Sequence, residues 1–216
     1  QGELGTRGTI ETRYQEAANA AMIMGISARE NMKMRDGFFE NDEANKLKLI
    51  SVIRKYQPDI VIGNVLHDRH PDHGRAGTLI ADCCFLSGLS KIETTDETGT
   101  EQKKWRPAYL LHYIQDWYHE PDLLVDISDV FEQRMKAIEA YSTQFNSTDS
   151  KEPQTYISTP DFLESVIARA RMFGKRIDDL TIVVHPSERG HLKQALLKIG
   201  WPAEDLAGYV DGEAHT

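Results

Sequence analysis

An α/β fold is the architecture this 216-residue sequence predicts, and three observations carry the expectation. Ile60, Val61 and Ile62, within QPDIVIGNV, form a short continuous apolar run of the kind found in strands buried on both faces. Segments with helical apolar stripes lie on either side of that run. Two further strand-like runs, AYLLHYI and LLVDI, come later in the chain, with helical patterning after them. A helix, a buried strand, a polar loop and another helix is the order expected of a sheet covered by helices. The length fits one compact domain with a substantial core.

The elements follow in order. QGELGTRGT carries three glycines in nine positions and reads as a loop able to approach a ligand closely. A helix is expected from Glu11 to about Met24, with Ala17, Ala18, Ala21, Met22 and Met24 as its apolar stripe and Gly25 as its stop. Residues 31–41 mix strand-like and turn-like signals, Asp36 and Gly37 favouring a turn, before Asp42 introduces a second helix through Lys55. Leu47, Leu49, Ile50 and Ile53 form its buried side. The strand at Ile60–Ile62 leads into the polar loop HDRHPDHGRAG and an apolar helix from about Thr78 to Leu86. Residues 90–104, rich in acids, threonines and lysines, read as a solvent-facing excursion. After AYLLHYI and LLVDI, Ser128 or Asp129 is the expected cap of a long helix through Phe131, Met135, Ile138 and Tyr141. Ser158 or Thr159 with Pro160 starts a helix containing Phe162, Val166, Ile167 and Ala170. TIVV then reads as a short strand, followed by a helix near His191 to Ile199.

Composition narrows the function classes. There are 25 Lys and Arg against 34 Asp and Glu, for a net charge of −9, so nonspecific binding to nucleic acid or an anionic membrane works against a repulsive mean field. No apolar run approaches the ~20 residues needed to cross a bilayer. Neither a nucleic-acid nor a membrane partner is expected. Cys83 and Cys84 are adjacent and cannot build a disulfide framework, which points to a reducing, cytoplasmic setting and to two small residues packed on a helix.

Chemistry concentrates in His67-Asp68-Arg69-His70-Pro71-Asp72-His73, three imidazoles and two carboxylates in seven positions after a buried strand. In open α/β sheets that strand end faces the ligand crevice. Imidazole and carboxylate ligate zinc, and a second carboxylate orients the remote nitrogen of a ligand histidine. The same residues also read as a solvated helix cap, and two close histidines do not complete a zinc shell. Arg13 is a candidate for a sugar hydroxyl, carboxylate or phosphate, or a helix-surface residue. Tyr156 is either a donor to a developing oxyanion or a surface tyrosine. His112 and His119 read as satisfied structural histidines, and His185, Ser187 and His191 lack the setting of a hydrolytic triad.

Taken in order, GELGTRGTIETR, DGFF, QPDIVI, HDRHPDHGRAG, YHEPDLLVDISDV and SKEPQTYISTPDFLESVIARARMFGKR resemble the LmbE-like (PIG-L) N-deacetylase superfamily, particularly its bacillithiol-biosynthesis branch. The resemblance covers roughly residues 2–177. It implies a Rossmann-like, mostly parallel sheet flanked by helices, and zinc-dependent hydrolysis of an N-acetyl group from an amino sugar such as N-acetylglucosaminyl-malate. It implies His73 as a zinc ligand, His70 as a catalytic histidine and Asp72 as a residue supporting the metal ligands. Arg13 is implied in substrate binding and Tyr156 in polarising the acetyl carbonyl. Homo-oligomerisation is in keeping with the resemblance, with interface and count unfixed. A noncatalytic amino-sugar-binding or assembly protein derived from this fold is the alternative reading.

Two departures shape the expectations. The family's opening strand, ending in an A-H-P-D-D-E-like motif that supplies two zinc ligands and a base, has no counterpart in these residues. The expectation is a deacetylase domain over residues 1–177 without that strand, with weak metal binding unless another segment supplies it. After MFGKR, residues 178–216 form a divergent extension that fits a terminal module, a lineage-specific ending or a junction.

Overall fold

In a computed structural model the described residues are 6–145 and 151–176. They fall into two compact units, one holding the described residues of 6–37 and 123–176, the other those of 38–122. The expected strand at TIVV, the helix near His191 and the extension at 178–216 lie outside the described residues.

In the first unit, α1 spans Ile10–Ile23, capped by Thr9, whose hydroxyl accepts from the Thr12 amide while Thr12 bonds back to the Thr9 amide. Gly25, at φ +66°, follows the end of this helix in the left-handed region. α4 (Phe131–Glu139) packs against α1. Glu16 of α1, a buried carboxylate, ties the helix to the turn after α4, accepting from the Thr143 amide at 2.6 Å and hydroxyl at 3.0 Å. Arg7, also buried, donates to the Thr143 and Pro153 carbonyls at 2.7 and 2.9 Å. α5 (Pro160–Gly174) starts as expected, with Thr159 accepting from the Phe162 amide and Pro160 in the first turn.

The second unit holds the sheet. α2 (Glu43–Tyr56), capped by Asp42, leads into β1 (Ile60–Asn64), which crosses over through α3 (Pro71–Leu86) to β2 (Tyr109–Tyr113). β1 and β2 are parallel, with Ile60 opposite Tyr109 and Asn64 opposite Tyr113. α3 packs on both β1 and α2. Two glycines let α3 lie close to the end of β1. A Cβ at Gly74 would stand 2.6 Å from the Leu66 carbonyl oxygen, and one at Gly77 would stand 2.7 Å from the oxygens of Asn64 and Val65. Cys83 and Cys84 are buried on α3 as expected, and burial pushes the Cys83 thiol up to about 12, which leaves it protonated and inert.

Several expectations are corrected. Helices dominate, and the sheet has two strands among the described residues rather than a broad parallel array. LLVDI forms no strand; extended backbone needs a neighbour to take its hydrogen bonds, and this segment runs irregularly into a 3-10 turn at Ser128–Val130. Ser128 and Asp129 do not cap α4. Instead Asp126 accepts from the amide and hydroxyl of Ser128, and α4 ends at Glu139, before Tyr141. Ile62, expected inside, is 65% exposed, because only the opposite face of β1, at Gly63, meets α3. α3 begins seven residues earlier than the apolar pattern suggested, because His70 and Pro71 supply cap and first turn. No helix of the described residues is long and apolar enough to cross a membrane.

Arg54 holds the far end of this unit together. The residue is 4% exposed, and its guanidinium donates to the carbonyls of Ser87, Leu89 and Ile92 and to the Thr94 hydroxyl, at 2.7–3.1 Å. It therefore satisfies oxygens at the C-terminal end of α3, where a positive charge is favoured. Replacing Arg54 with Met fills similar space but strands those acceptors, and is expected to cost about 3 kcal/mol in urea denaturation. A loss below about 1 kcal/mol would show that water takes over the oxygens.

Candidate active site

The C-terminal ends of β1 and β2 carry the polar loops 65–70 and 114–119, and the two are laced together. Asn64 donates to Gln115 Oε1 at 2.8 Å and to the Tyr113 hydroxyl at 3.1 Å. His112 Nδ1 donates to the Asn64 carbonyl at 2.5 Å, and His119 Nε2 donates to the His67 carbonyl at 2.7 Å. Both histidines are thus satisfied structurally, as the sequence suggested. Arg69 closes an ion pair with Asp116 at 2.8 Å.

Asp68 is the hub of this lacing. Its carboxylate has no side-chain exposure, yet Oδ1 accepts from the amides of Trp117 at 2.7 Å and Asp116 at 3.2 Å, and Oδ2 bonds His73 Nδ1 at 2.5 Å. Burial pushes its carboxyl up. The Trp117 amide, the His73 ring and the amides of Arg69 and Asp116 together outweigh burial and hold it below the usual carboxylate range. An ionised carboxylate only accepts, so His73 carries a proton on Nδ1, and in the neutral ring Nε2 is left as the lone-pair nitrogen.

His70 is held the opposite way. It is the N-cap of α3, and its Nδ1 accepts from the Asp72 amide at 3.2 Å. The neutral ring therefore keeps its proton on Nε2, which becomes a donor. The two rings stand 5.2 Å apart, centroid to centroid, tilted by 35°. One turn of helix thus offers an imidazole lone pair beside an imidazole N–H. An open cavity of about 280 Å³, lined by Leu66, His67, Asp68, His70, Arg75 and Thr78 among others, lies at this helix start. It is close to the lower end of small-molecule sites, about 300 Å³.

The other sequence candidates fall elsewhere. Asp72 pairs with Arg75 at 2.5 Å, and the carboxylate that reaches His73 is Asp68. Only the D-x-x-x-x-H spacing across a helix start could have pointed to Asp68. Arg13 lies on α1 and Tyr156 opens a 3-10 turn, Tyr156–Ser158, with its ring edge-on to Phe162 at 5.3 Å. Both belong to the first unit, and the three loop residues His70, Asp72 and His73 belong to the second. Among the described residues, no three or more His, Cys, Asp and Glu side chains are grouped to hold a metal ion. A zinc site takes at least three protein ligands, so the described residues do not by themselves fit that metal.

Replacing Asp68 with Ala removes the acceptor of three backbone amides and an imidazole at once. The expected loss is about 3 kcal/mol of stability, read by thermal or urea unfolding, with faster hydrogen exchange at the Asp116 and Trp117 amides. Unchanged exchange there would show that the two loops do not depend on this carboxylate.

The family model described as PIG-L, GlcNAc-PI de-N-acetylase, matches residues 1–84, which include the histidine loop. The crystal structure of the conserved protein TT1542 from Thermus thermophilus is 30% identical, with a TM-score of 0.69 over 82% of this chain and 73% of that one. Diacetylchitobiose deacetylase from Thermococcus kodakarensis is 26% identical over 147 residues, 67% of this chain and 54% of that protein. A stretch of 46 residues, 21% of this chain, is 83% identical to DNA 3'-5' helicase XPB from Mycobacterium tuberculosis, of which it spans 8%. The chain thus covers a small part of that helicase and about half of the chitobiose deacetylase. Through the family match and the extended likeness to TT1542, the chain belongs to the PIG-L, LmbE-like deacetylase superfamily.

Proposed function

We propose that this protein hydrolyses the N-acetyl group of an N-acetylglucosamine derivative, releasing acetate and a free amine. The observation that carries this reading is the pair of neighbouring imidazoles on one helix start, His70 accepting the Asp72 amide at Nδ1 and His73 bonding Asp68 through Nδ1, which in the neutral rings puts a proton on His70 Nε2 and a lone pair on His73 Nε2. Amide hydrolysis needs a proton delivered to nitrogen as the C–N bond breaks, because an amide anion is too basic to leave. His70 Nε2–H is the donor for that nitrogen.

The remaining roles rest on the family resemblance. Arg13 holds a substituent of the sugar through directional hydrogen bonds. Tyr156, whose ring is exposed, donates to the oxygen on which charge develops. Asp72, paired with Arg75, steadies the first turn of α3 rather than a ligand directly. His73 is assigned to zinc, which supplies Lewis acidity when bound. The described residues provide fewer ligands than zinc takes, and no step is assigned to the metal. N-acetylglucosaminyl-malate is the substrate the bacillithiol-branch resemblance suggests. Diacetylchitobiose, named for the Thermococcus relative, is the second.

Residues 1–177 are assigned to the deacetylase domain and 178–216 to an extension. The family model, which matches residues 1–84, supports the first of these assignments. No helicase activity is assigned to this chain, which spans 8% of that helicase. The two buried free cysteines suit a reducing, cytoplasmic setting.

Separate substitutions test the two histidine roles. With zinc supplied, His70→Ala is expected to lower acetate release from N-acetylglucosamine derivatives by about 100-fold or more while zinc content is kept. His73→Ala is expected to lower both. Equal zinc loss in the two variants, read by elemental analysis of the folded proteins, would contradict this division.

A further inference from the structure

The loop after β2 presents two aromatic side chains that the hydrolytic reading does not use. Trp117 is 54% exposed and Tyr118 57%, although aromatic rings of this size are ordinarily well buried. Their backbone is nevertheless pinned. The Trp117 amide donates to Asp68, Asp116 is paired with Arg69, His119 donates to the His67 carbonyl, and the Tyr118 hydroxyl donates to Glu120 at 2.6 Å. Rings displayed on a fixed backbone give up little freedom when a ligand meets them.

Position and surroundings indicate what the ligand is. The loop follows β2 at the C-terminal end of two neighbouring parallel strands, the side on which open α/β sheets receive ligands. One carboxylate, Asp68, bonds both the His73 ring and the Trp117 amide, so the aromatic pair and the candidate histidines hang from the same anchor. Planar polar groups lie in the same pair of loops: Gln115, the Arg69–Asp116 pair, and Glu120, which the Tyr118 hydroxyl meets. A pyranose needs this mixture. Its C–H face packs on an aromatic ring, and its hydroxyls exchange hydrogen bonds with planar polar side chains.

We propose that Trp117 and Tyr118 form a saccharide subsite, an aromatic platform that holds a second pyranose ring joined to the N-acetylated sugar. The inference rests on the deacetylase reading and adds a substrate class to it: a substrate of at least two sugar rings, in preference to a glucosamine bearing only a small acid.

Two measurements on the full chain keep the failure of either reading distinct. In the first, tryptophan emission is followed as N,N'-diacetylchitobiose is added. A saturable change is expected in the wild type and in Trp105→Phe, whose indole bonds the Pro58 carbonyl away from the loop, and is expected to be lost in Trp117→Ala. In the second, acetate release is compared for the disaccharide and for N-acetylglucosamine. Trp117→Ala is expected to raise KM for the disaccharide about tenfold, with a smaller change in kcat, and to lower the disaccharide-to-monosaccharide ratio of kcat/KM by a similar factor. Trp117→Phe, which keeps a ring face, is expected to recover most of that loss, and Tyr118→Ala to share it. Saturable emission without acetate release would uphold the subsite and sink the deacetylase reading. Acetate release with an unchanged disaccharide KM in both Trp117→Ala and Tyr118→Ala would do the reverse. A wild-type emission that never saturates would overturn the subsite.

Discussion

The carboxylate of Asp68 is the constraint on which the end of the sheet depends. A charge with no solvent exposure is costly to bury unless donors surround it. Here four do: three backbone amides, those of Arg69, Asp116 and Trp117, and one imidazole. The arrangement fixes the loop after β1 against the loop after β2 and, with the same atoms, fixes the tautomer of His73. Structural and chemical roles are thus inseparable at this residue. A change that loosens the loops also frees the ring, and a change that frees the ring leaves a buried charge short of a partner.

The helix start completes the arrangement from the other side. Gly74 and Gly77 allow α3 to lie against the carbonyls at the end of β1, closer than a Cβ would permit. That approach brings His70 and His73 to the strand end. His70 is then bound by its role as cap, with Nδ1 used by the Asp72 amide. Two histidines three residues apart are consequently held in opposite protonation patterns by two different local devices, a helix cap and a buried carboxylate.

Sequence patterning revealed much of this and concealed some of it, for physical reasons. Caps at Asp42 and Thr159 and the turn at Gly25 were legible because they are decided locally, by side chains within three residues of the amides they satisfy. The start of α3 is not, since its first turn is polar and the apolar pattern begins only near Thr78, so His67–His73 reads both as a chemical cluster and as a solvated helix cap. LLVDI looked like a strand because β propensity is a statement about fitting a sheet, and no neighbour accepts it among the described residues. Ile62 looked buried because an apolar run does not reveal which face is covered. The histidine pair itself is legible as a cluster, whereas which of the loop's two carboxylates orients an imidazole is not, because the role of Asp68 comes from amides almost fifty residues away, at Asp116 and Trp117.

The account turns on the protons of two imidazoles, and nitrogen-15 spectroscopy reads them directly. Long-range proton–nitrogen correlation spectra of the folded chain at a pH where both rings are neutral should show His73 protonated on Nδ1 and His70 protonated on Nε2. Assignment follows from loss of the corresponding signals in single His→Gln variants. The same tautomer at both positions, or free exchange between tautomers at His73, would contradict the claim that Asp68 and the α3 cap set the chemistry of this site.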